Sequence, residues 1–265
     1  MKITAENLAF HYKNGREIFH NISFEVTSPN VLCILGPNGT GKSTLLKCLV
    51  NQHNPSKGQV YLDDRPIQSY STKTLASCMA YIPQMHTPTF PFTVLDVVTM
   101  GRTARLGYLS APGKKDKLVA LDNLSFLGIE HLAGKIYTNI SGGERQLVMM
   151  AAALTQEPQI LLLDEPTSHL DFGNQFRFLQ IVKSLKQKGV GIIMTSHYPD
   201  HALEVADYTA VLKNGCFVHF GEPDEVVTQK NMEELYDIPV TMVMIAGTKK
   251  RSCIAGGVEA DARTD

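Results

Sequence analysis

Apolar and polar side chains alternate from Ile22 to Val26. Ile22, Phe24 and Val26 fall on one face and Ser23 and Glu25 on the other, which is the period of a half-exposed antiparallel strand. Val31-Leu32-Cys33-Ile34-Leu35 then runs without a polar break, predicting a strand covered on both faces. A glycine-rich stretch follows, and a helix is expected to start near Lys42, so this region reads as a strand-loop-helix unit. Ile160 to Leu163 and Gly191 to Thr195 are further unbroken runs, ending at Asp164-Glu165 and Ser196-His197. Between them Phe178, Leu179, Val182 and Leu185 recur at helical spacing, with Gly189 where a left-handed C-cap belongs. The pattern predicts a mostly parallel sheet linked by helices, and such sheets collect ligands at the carboxyl ends of their strands.

From about residue 85 to residue 156 the rhythm changes. Pro88 and Pro91 mark a loop, and Leu118, Leu121, Leu124 and Leu127 repeat in helical fashion, so an inserted helical lobe is expected there. Thr209 to Gly221 reads as a hairpin turning at Asn214-Gly215, with a polar helix around Asn231 to Tyr236 after it. Residues 247–265, with the basic cluster Lys249-Lys250-Arg251, are expected to form a polar, frayed tail behind one domain spanning 1–246.

Composition narrows the function classes. A chain of 265 residues with 43% hydrophobic and 19% charged residues is an ordinary globular α/β candidate, neither disordered nor membrane-embedded. Its 25 basic against 26 acidic residues leave no bulk basic field, so nucleic acid is not expected as a partner. No apolar run approaches the roughly 18–20 residues that span a bilayer, and Met1 to Thr4 leads into a strand pattern instead of a signal peptide, so a cytoplasmic location is expected. The 5 cysteines are odd in number and never fall in a Cys-x-x-Cys pair, which favours reduced packing residues such as Cys33 and Cys48.

The chemistry concentrates in two motifs. Gly36-Pro37-Asn38-Gly39-Thr40-Gly41-Lys42-Ser43 matches the phosphate-binding P-loop, placed between a buried strand and a helix start. Its glycines let backbone N–H groups turn toward phosphates, the helix N-terminus adds partial positive charge, Lys42 reaches the β- and γ-phosphates, and Ser43 supplies a Mg²⁺ ligand. Thr44 is counted with these nucleotide-binding residues. Asp164 and Glu165 end a buried strand: Asp164 is expected to hold Mg²⁺ through its water shell, and Glu165 to deprotonate the attacking water. Together they predict a P-loop NTPase core that uses ATP and Mg²⁺.

Ile140-Ser141-Gly142-Gly143-Glu144 resembles the signature sequence of the ABC (ATP-binding cassette) ATPases, at a family-like distance before Asp164-Glu165. Ser141 and the glycine N–H groups, with Glu144, would form a second anion-binding surface at a helix start. On the resemblance this surface closes on ATP held by the P-loop of another copy, so a complete site needs a head-to-tail dimer. The resemblance extends from about Ile3 to Val243 and implies further roles. Gln84, in Tyr81-Ile82-Pro83-Gln84, resembles the glutamine that touches Mg²⁺ and the attacking water. His197 resembles the switch histidine at the γ-phosphate, and Ser168-His169-Leu170-Asp171 the D-loop that communicates across the dimer, with His169 where alanine is common. Tyr12 matches the aromatic that stacks on adenine. The chain departs from the pattern at Ile140, where leucine is usual, and at Leu147, where a basic residue is frequent.

Phe90-Pro91-Phe92-Thr93-Val94-Leu95-Asp96-Val97-Val98-Thr99-Met100-Gly101-Arg102 resembles the helical lobe of ATPases serving importers of iron-siderophore, haem and cobalamin complexes. The expected fold is therefore the ABC ATPase fold, with an N-terminal antiparallel β subdomain. The expected function is an ATP-hydrolysing subunit at the cytoplasmic face of the membrane, peripheral, bound to integral membrane permease subunits and served by an extracytoplasmic substrate-binding protein. Phe90, Phe92, Val94 and Val97 are expected to pack in the lobe's core as well. The alternative is a soluble ABC ATPase acting on ribosomes or DNA; such proteins usually join two cassettes or carry a coiled coil, and this chain shows one cassette without sustained heptads.

Overall fold

The computed structural model describes residues 1–13, 15–84, 90–107, 110–168, 170–248 and 250–256. Pro88, His169, Lys249 and the tail from residue 257 lie outside them. Two strands, β1 (Lys2–His11) and β2 (Glu17–Thr27), open the chain, and β3 (Val31–Leu35) enters the core ahead of α1 (Lys42–Leu49). β4 (Lys57–Leu62) and β5 (Arg65–Pro66) follow, then α2 (Thr72–Cys78) and β6 (Met79–Ile82). The helices α3 (Val94–Met100), α4 (Lys114–Phe126) and α5 (Gly142–Thr155) precede β7 (Ile160–Leu163), α6 (Phe172–Gln187), β8 (Gly191–Ser196) and α7 (Pro199–Val205). A hairpin of β9 (Tyr208–Lys213) and β10 (Cys216–Gly221), the short α8 (Pro223–Val226), α9 (Gln229–Tyr236) and a second hairpin of β11 (Val240–Met244) and β12 (Arg251–Ala255) come last.

One antiparallel sheet has the order β2-β1-β4-β5, and the larger sheet the order β10-β9-β3-β8-β7-β6. From β9 to β6 every neighbouring pair in the larger sheet is parallel. Its central strands explain the unbroken apolar runs, because each sends alternate residues into different cores. Val31, Cys33 and Leu35 of β3 pack with the helices, as do Leu161 and Leu163 of β7, while Leu32, Ile34, Ile160 and Leu162 face the antiparallel sheet. The register pairs Leu35 with Ser196, Leu163 with Met194 and Ile82 with Leu163, so β3, β8, β7 and β6 end at one level. The residues that immediately follow these strands are therefore neighbours, however distant in sequence.

Asn214 and Gly215 both adopt positive φ, 51° and 80°, as the two-residue turn of the β9–β10 hairpin requires. Among the described residues no helix is long and apolar enough to cross a membrane.

Some expectations change. Leu118 is 61% exposed although Leu124 is fully buried, because each step of three residues turns a helix by about 300° and four such leucines spread over half its circumference. Phe90 and Phe92 are 63% and 44% exposed, so they lie on the surface of the lobe while Val94 enters its core. Beyond Ala246, where a polar, frayed tail is expected, Arg251–Ala255 pair along the whole length of β11.

Candidate functional site

The loop between β3 and α1 is shaped by contacts that exclude side chains. A Cβ on Gly36 would lie 2.7 Å from the Leu212 carbonyl oxygen; one on Gly41 would lie 2.6 Å from Ile18, and Gly41 also holds a φ of +101°. Gly41 is the N-cap of α1 and brings no capping side chain, which leaves the first N–H groups of the helix without an internal acceptor. Thr40 braces the turn by donating its hydroxyl to the Pro37 carbonyl at 2.9 Å.

Lys42 is 4% exposed. Its ammonium donates to the Gly36 and Pro37 carbonyls at 2.6 and 2.9 Å and pairs with Glu165 Oε1 at 3.0 Å. Glu165, 7% exposed, also accepts from Gln84 Nε2 at 2.9 Å through its other oxygen. His197 Nδ1 lies 3.4 Å from that same oxygen, close enough for an ion pair when the imidazole is protonated, yet among the described residues it makes no hydrogen bond, and it is shielded from solvent. Lys42 at the start of α1, Gln84 just past β6 and His197 just past β8 thus meet around one carboxylate. Glu165 itself has a φ of +44°, a conformation that costs energy for a residue with a side chain. Its N–H donates to Thr195 Oγ1 at 2.8 Å and its carbonyl accepts from Ser168 N–H at 3.2 Å, which hold it there.

Asp164 lies beneath, 2% exposed. It accepts the Thr195 hydroxyl at 2.9 Å on one oxygen and the Tyr81 hydroxyl at 3.2 Å on the other. Burial, followed by the Asp164 charge, pushes the Tyr81 phenol up, so it remains a donor. Thr195 therefore connects the two acids: it accepts from one backbone and donates to the other side chain.

These groups border a cleft of about 410 Å³ lined by Tyr12, Ile18, Asn38, Gly39, Gly41, Lys42, Ser43, Thr44, Gln84 and Glu165. Tyr12 is 42% exposed at its edge, its ring edge-on to Phe10 at 5.0 Å and its hydroxyl 3.2 Å from Thr44 Oγ1. The donor set could take a magnesium nucleotide: a buried cation and uncapped helix N–H groups suit phosphate, a hydroxyl at Ser43 and a buried carboxylate at Asp164 suit a hard cation, and the shielded His197 Nδ1 has no hydrogen-bond partner among the described residues.

Other predicted residues stand apart from this cleft. Ser141 caps α5: its hydroxyl accepts the Glu144 N–H at 3.2 Å, and its own N–H donates to the Glu144 carboxylate at 2.8 Å. That N–H holds the Glu144 carboxyl below its usual range. Ser141 and Gly142 are exposed, Gly143 is half-buried against Leu170, and none lines the cleft. Asp171 caps α6, accepting the Asn174 N–H at 2.8 Å, and is also outside the cleft. Sequence reasoning missed Tyr81 and Thr195 as partners of Asp164, and it missed His201. The last is 5% exposed, its Nδ1 is 2.9 Å from Ser196 Oγ, and burial, then the His197 charge, pushes its imidazole down to about 4. The placement of Thr195 at a strand end two residues before His197 was a visible signal; for Tyr81 and His201 there was none.

Comparison with known proteins gives consistent neighbours. Residues 19–168 match the ABC transporter family. The molybdate import ATP-binding protein MolC of Haemophilus influenzae is 34% identical over 239 residues, covering 90% of this chain and 89% of that protein. The hemin import ATP-binding protein HmuV of Thermobifida fusca is 37% identical over 239 residues, covering 90% and 83%. Among solved structures, a metal-chelate type ABC transporter in an inward-facing conformation superposes with a TM-score of 0.84 at 30% identity, over 97% of this chain and 98% of that one.

Proposed function

This chain belongs to the ABC transporter family as an ATP-binding subunit, and from that premise we propose that it hydrolyses ATP to power import of a metal-chelate type substrate (an iron-siderophore, haem or cobalamin complex). The observation that carries the hydrolytic part is the convergence of Lys42, Gln84 and His197 on the Glu165 carboxylate at 3.0, 2.9 and 3.4 Å.

Lys42 and Glu165 neutralise one another across 3.0 Å. Phosphate oxygens entering the cleft compete for Lys42, and the Glu165 oxygen it releases becomes an acceptor for the proton of the attacking water, a general-base contribution of order 10²–10⁴-fold. Gln84 Nε2 and His197 Nδ1 stay beside the other oxygen and orient water and γ-phosphate. Ser43, Asp164 and Gln84 would hold Mg²⁺, which supplies neutralisation of phosphate charge. Tyr12 offers its ring to the adenine.

Ser141 and Gly142 face solvent at the tip of α5, with Gly143 half-buried behind them, and the three complete the site from a second, head-to-tail copy. ATP closes the two copies, closure drives a membrane permease between access states, and hydrolysis resets them. The exposed Phe90 and Phe92 support the helical lobe as the permease-facing side, which makes the subunit peripheral to the membrane. The haem relative and the metal-chelate neighbour support the substrate class; the molybdate relative is comparably similar because cargo selectivity resides in the permease and an external binding protein.

The test joins two measurements. The Glu165→Gln variant with Mg·ATP should form a dimer by light scattering, and a photo-crosslinker at Phe92 in native membranes should capture an integral membrane permease of a metal-chelate system. A monomer under saturating ATP would refute the closure mechanism, and capture of ribosomal proteins would refute the transport role.

A further inference from the structure

His197 is the first of two residues between the end of β8 and the start of α7, and groups on either side hold its peptide. Ahead of it, the Ser196 carbonyl accepts the Gly36 N–H at 3.3 Å, tying the turn to the phosphate loop. The Ser196 hydroxyl accepts the Tyr198 N–H at 2.9 Å and pairs with His201 Nδ1. The His197 carbonyl accepts the Tyr236 hydroxyl at 2.8 Å, from the last residue of α9. α7 is gripped in turn by β12: the Asp200 carboxylate accepts the Cys253 N–H at 2.8 Å and the Ser252 hydroxyl at 3.0 Å. Glu204, one helical turn on, pairs with Lys250 at 2.8 Å. β12 is bound along its length to β11, which follows α9 by a short connection, so both grips come from one C-terminal unit.

We propose that Tyr236 and Asp200 are positioning residues for His197, which makes the C-terminal segment from α9 to β12 a working part of the hydrolytic site. This rests on reading His197 as the group that meets the γ-phosphate. The physical reason is leverage. Among the described residues the His197 imidazole has no hydrogen bond at Nδ1; it rests against the Tyr198 ring at 4.0 Å between centroids, 3.4 Å from the Glu165 carboxylate, so its direction depends on the backbone beneath it. A displacement on the order of 1 Å at a reacting group can cost about 10²-fold in rate. Tyr236 holds the carbonyl of the peptide that follows the His197 Cα, whose rotation would swing that side chain, and Asp200 fixes the helix that leaves it.

The experiment measures single-turnover ATP hydrolysis and ATP affinity with the full chain and the variants Tyr236→Phe, Asp200→Asn, His197→Ala and Tyr236→Phe/His197→Ala. Tyr236→Phe deletes one hydroxyl and keeps the ring. It should slow hydrolysis about three- to tenfold, the net worth of one hydrogen bond, with ATP affinity unchanged. In the His197→Ala background the same change should have no further effect, because the residue it positions is gone. Asp200→Asn keeps one acceptor oxygen and should slow the step less than Tyr236→Phe, again without changing affinity. Full activity in Tyr236→Phe, or an equal loss with and without His197, would overturn the inference while leaving the hydrolytic reading intact. If His197→Ala itself hydrolyses ATP at the full rate, the reading of the site falls and this inference with it.

Discussion

Replacing Glu165 with glutamine tests the centre of the site in two independent ways. The carboxylate presents two acceptor oxygens, one to Lys42 at 3.0 Å and one to Gln84 at 2.9 Å. A glutamine keeps the shape but has only one acceptor, so either Lys42 or Gln84 must face an NH₂ group. Leaving one buried donor unsatisfied costs about 1–3 kcal/mol, and removing the partner of a buried charge about 3–5 kcal/mol. Because glutamine can still turn its oxygen to Lys42, a loss of about 2–3 kcal/mol is expected, a drop on the order of 5–10 °C in Tm for a chain of this size. Phosphate oxygens would restore an anionic partner to Lys42. Mg·ATP should therefore raise the Tm of Glu165→Gln by several degrees more than it raises that of the natural protein, while steady-state hydrolysis falls at least about 10²-fold. Thermal unfolding with and without nucleotide, read beside a phosphate-release assay, gives all the quantities. Equal melting temperatures without nucleotide would refute the Lys42–Glu165 pair, and undiminished hydrolysis would refute Glu165 as the base.

Lys42→Ala should reduce ATP affinity at least about 100-fold by titration calorimetry, since it removes the cation that meets the phosphates; unchanged affinity would remove the P-loop assignment. Tyr12→Ala should weaken ATP binding about three- to tenfold, the worth of an aromatic pair, and Tyr12→Phe should bind almost as the natural protein does; an Ala variant with full affinity would place the adenine elsewhere. His201 carries a pH prediction. Its imidazole is held down at about 4 in the fold against an ordinary value of 6.5, so between these values the unfolded chain binds a proton that the folded chain does not. Stability should fall as pH drops from about 6.5 to about 4 and then level off, by something on the order of 3 kcal/mol. His201→Gln should flatten that window in urea titrations, and an unchanged slope would show that His201 is not the group responsible.

Much of the architecture was legible because its determinants are local. An unbroken apolar run of four or five residues can only be a strand covered on both faces or a piece of buried helix, and the punctuation around Val31 to Leu35, Ile160 to Leu163 and Gly191 to Thr195 decided for strands, as found. The Asn214-Gly215 turn is set by the two residues that can adopt it. The turn of the loop from Gly36 to Ser43 into α1 was legible for the same reason: a fixed spacing of glycines encodes its own backbone path. Leu118 marks the limit of periodicity, since a spacing of three matches the helical period only loosely and a leucine can end on the solvent face.

The candidate site needed the folded chain. That Asp164 is held by Tyr81 and Thr195 follows from β6, β7 and β8 lying side by side in register, and no offset along the chain announces it. Tyr236 reaches the carbonyl of His197 across 39 positions, and Asp200 reaches Cys253 across 53. Sequence by itself determined which residues could bind phosphate, metal and water, because those capacities belong to the side chains and to glycine's freedom of backbone. Only the tertiary structure decided which of them touch, and that Lys42 and Glu165 neutralise each other. A contact between distant residues depends on where the chain returns, and that is settled by the packing of whole sheets and helices against one another.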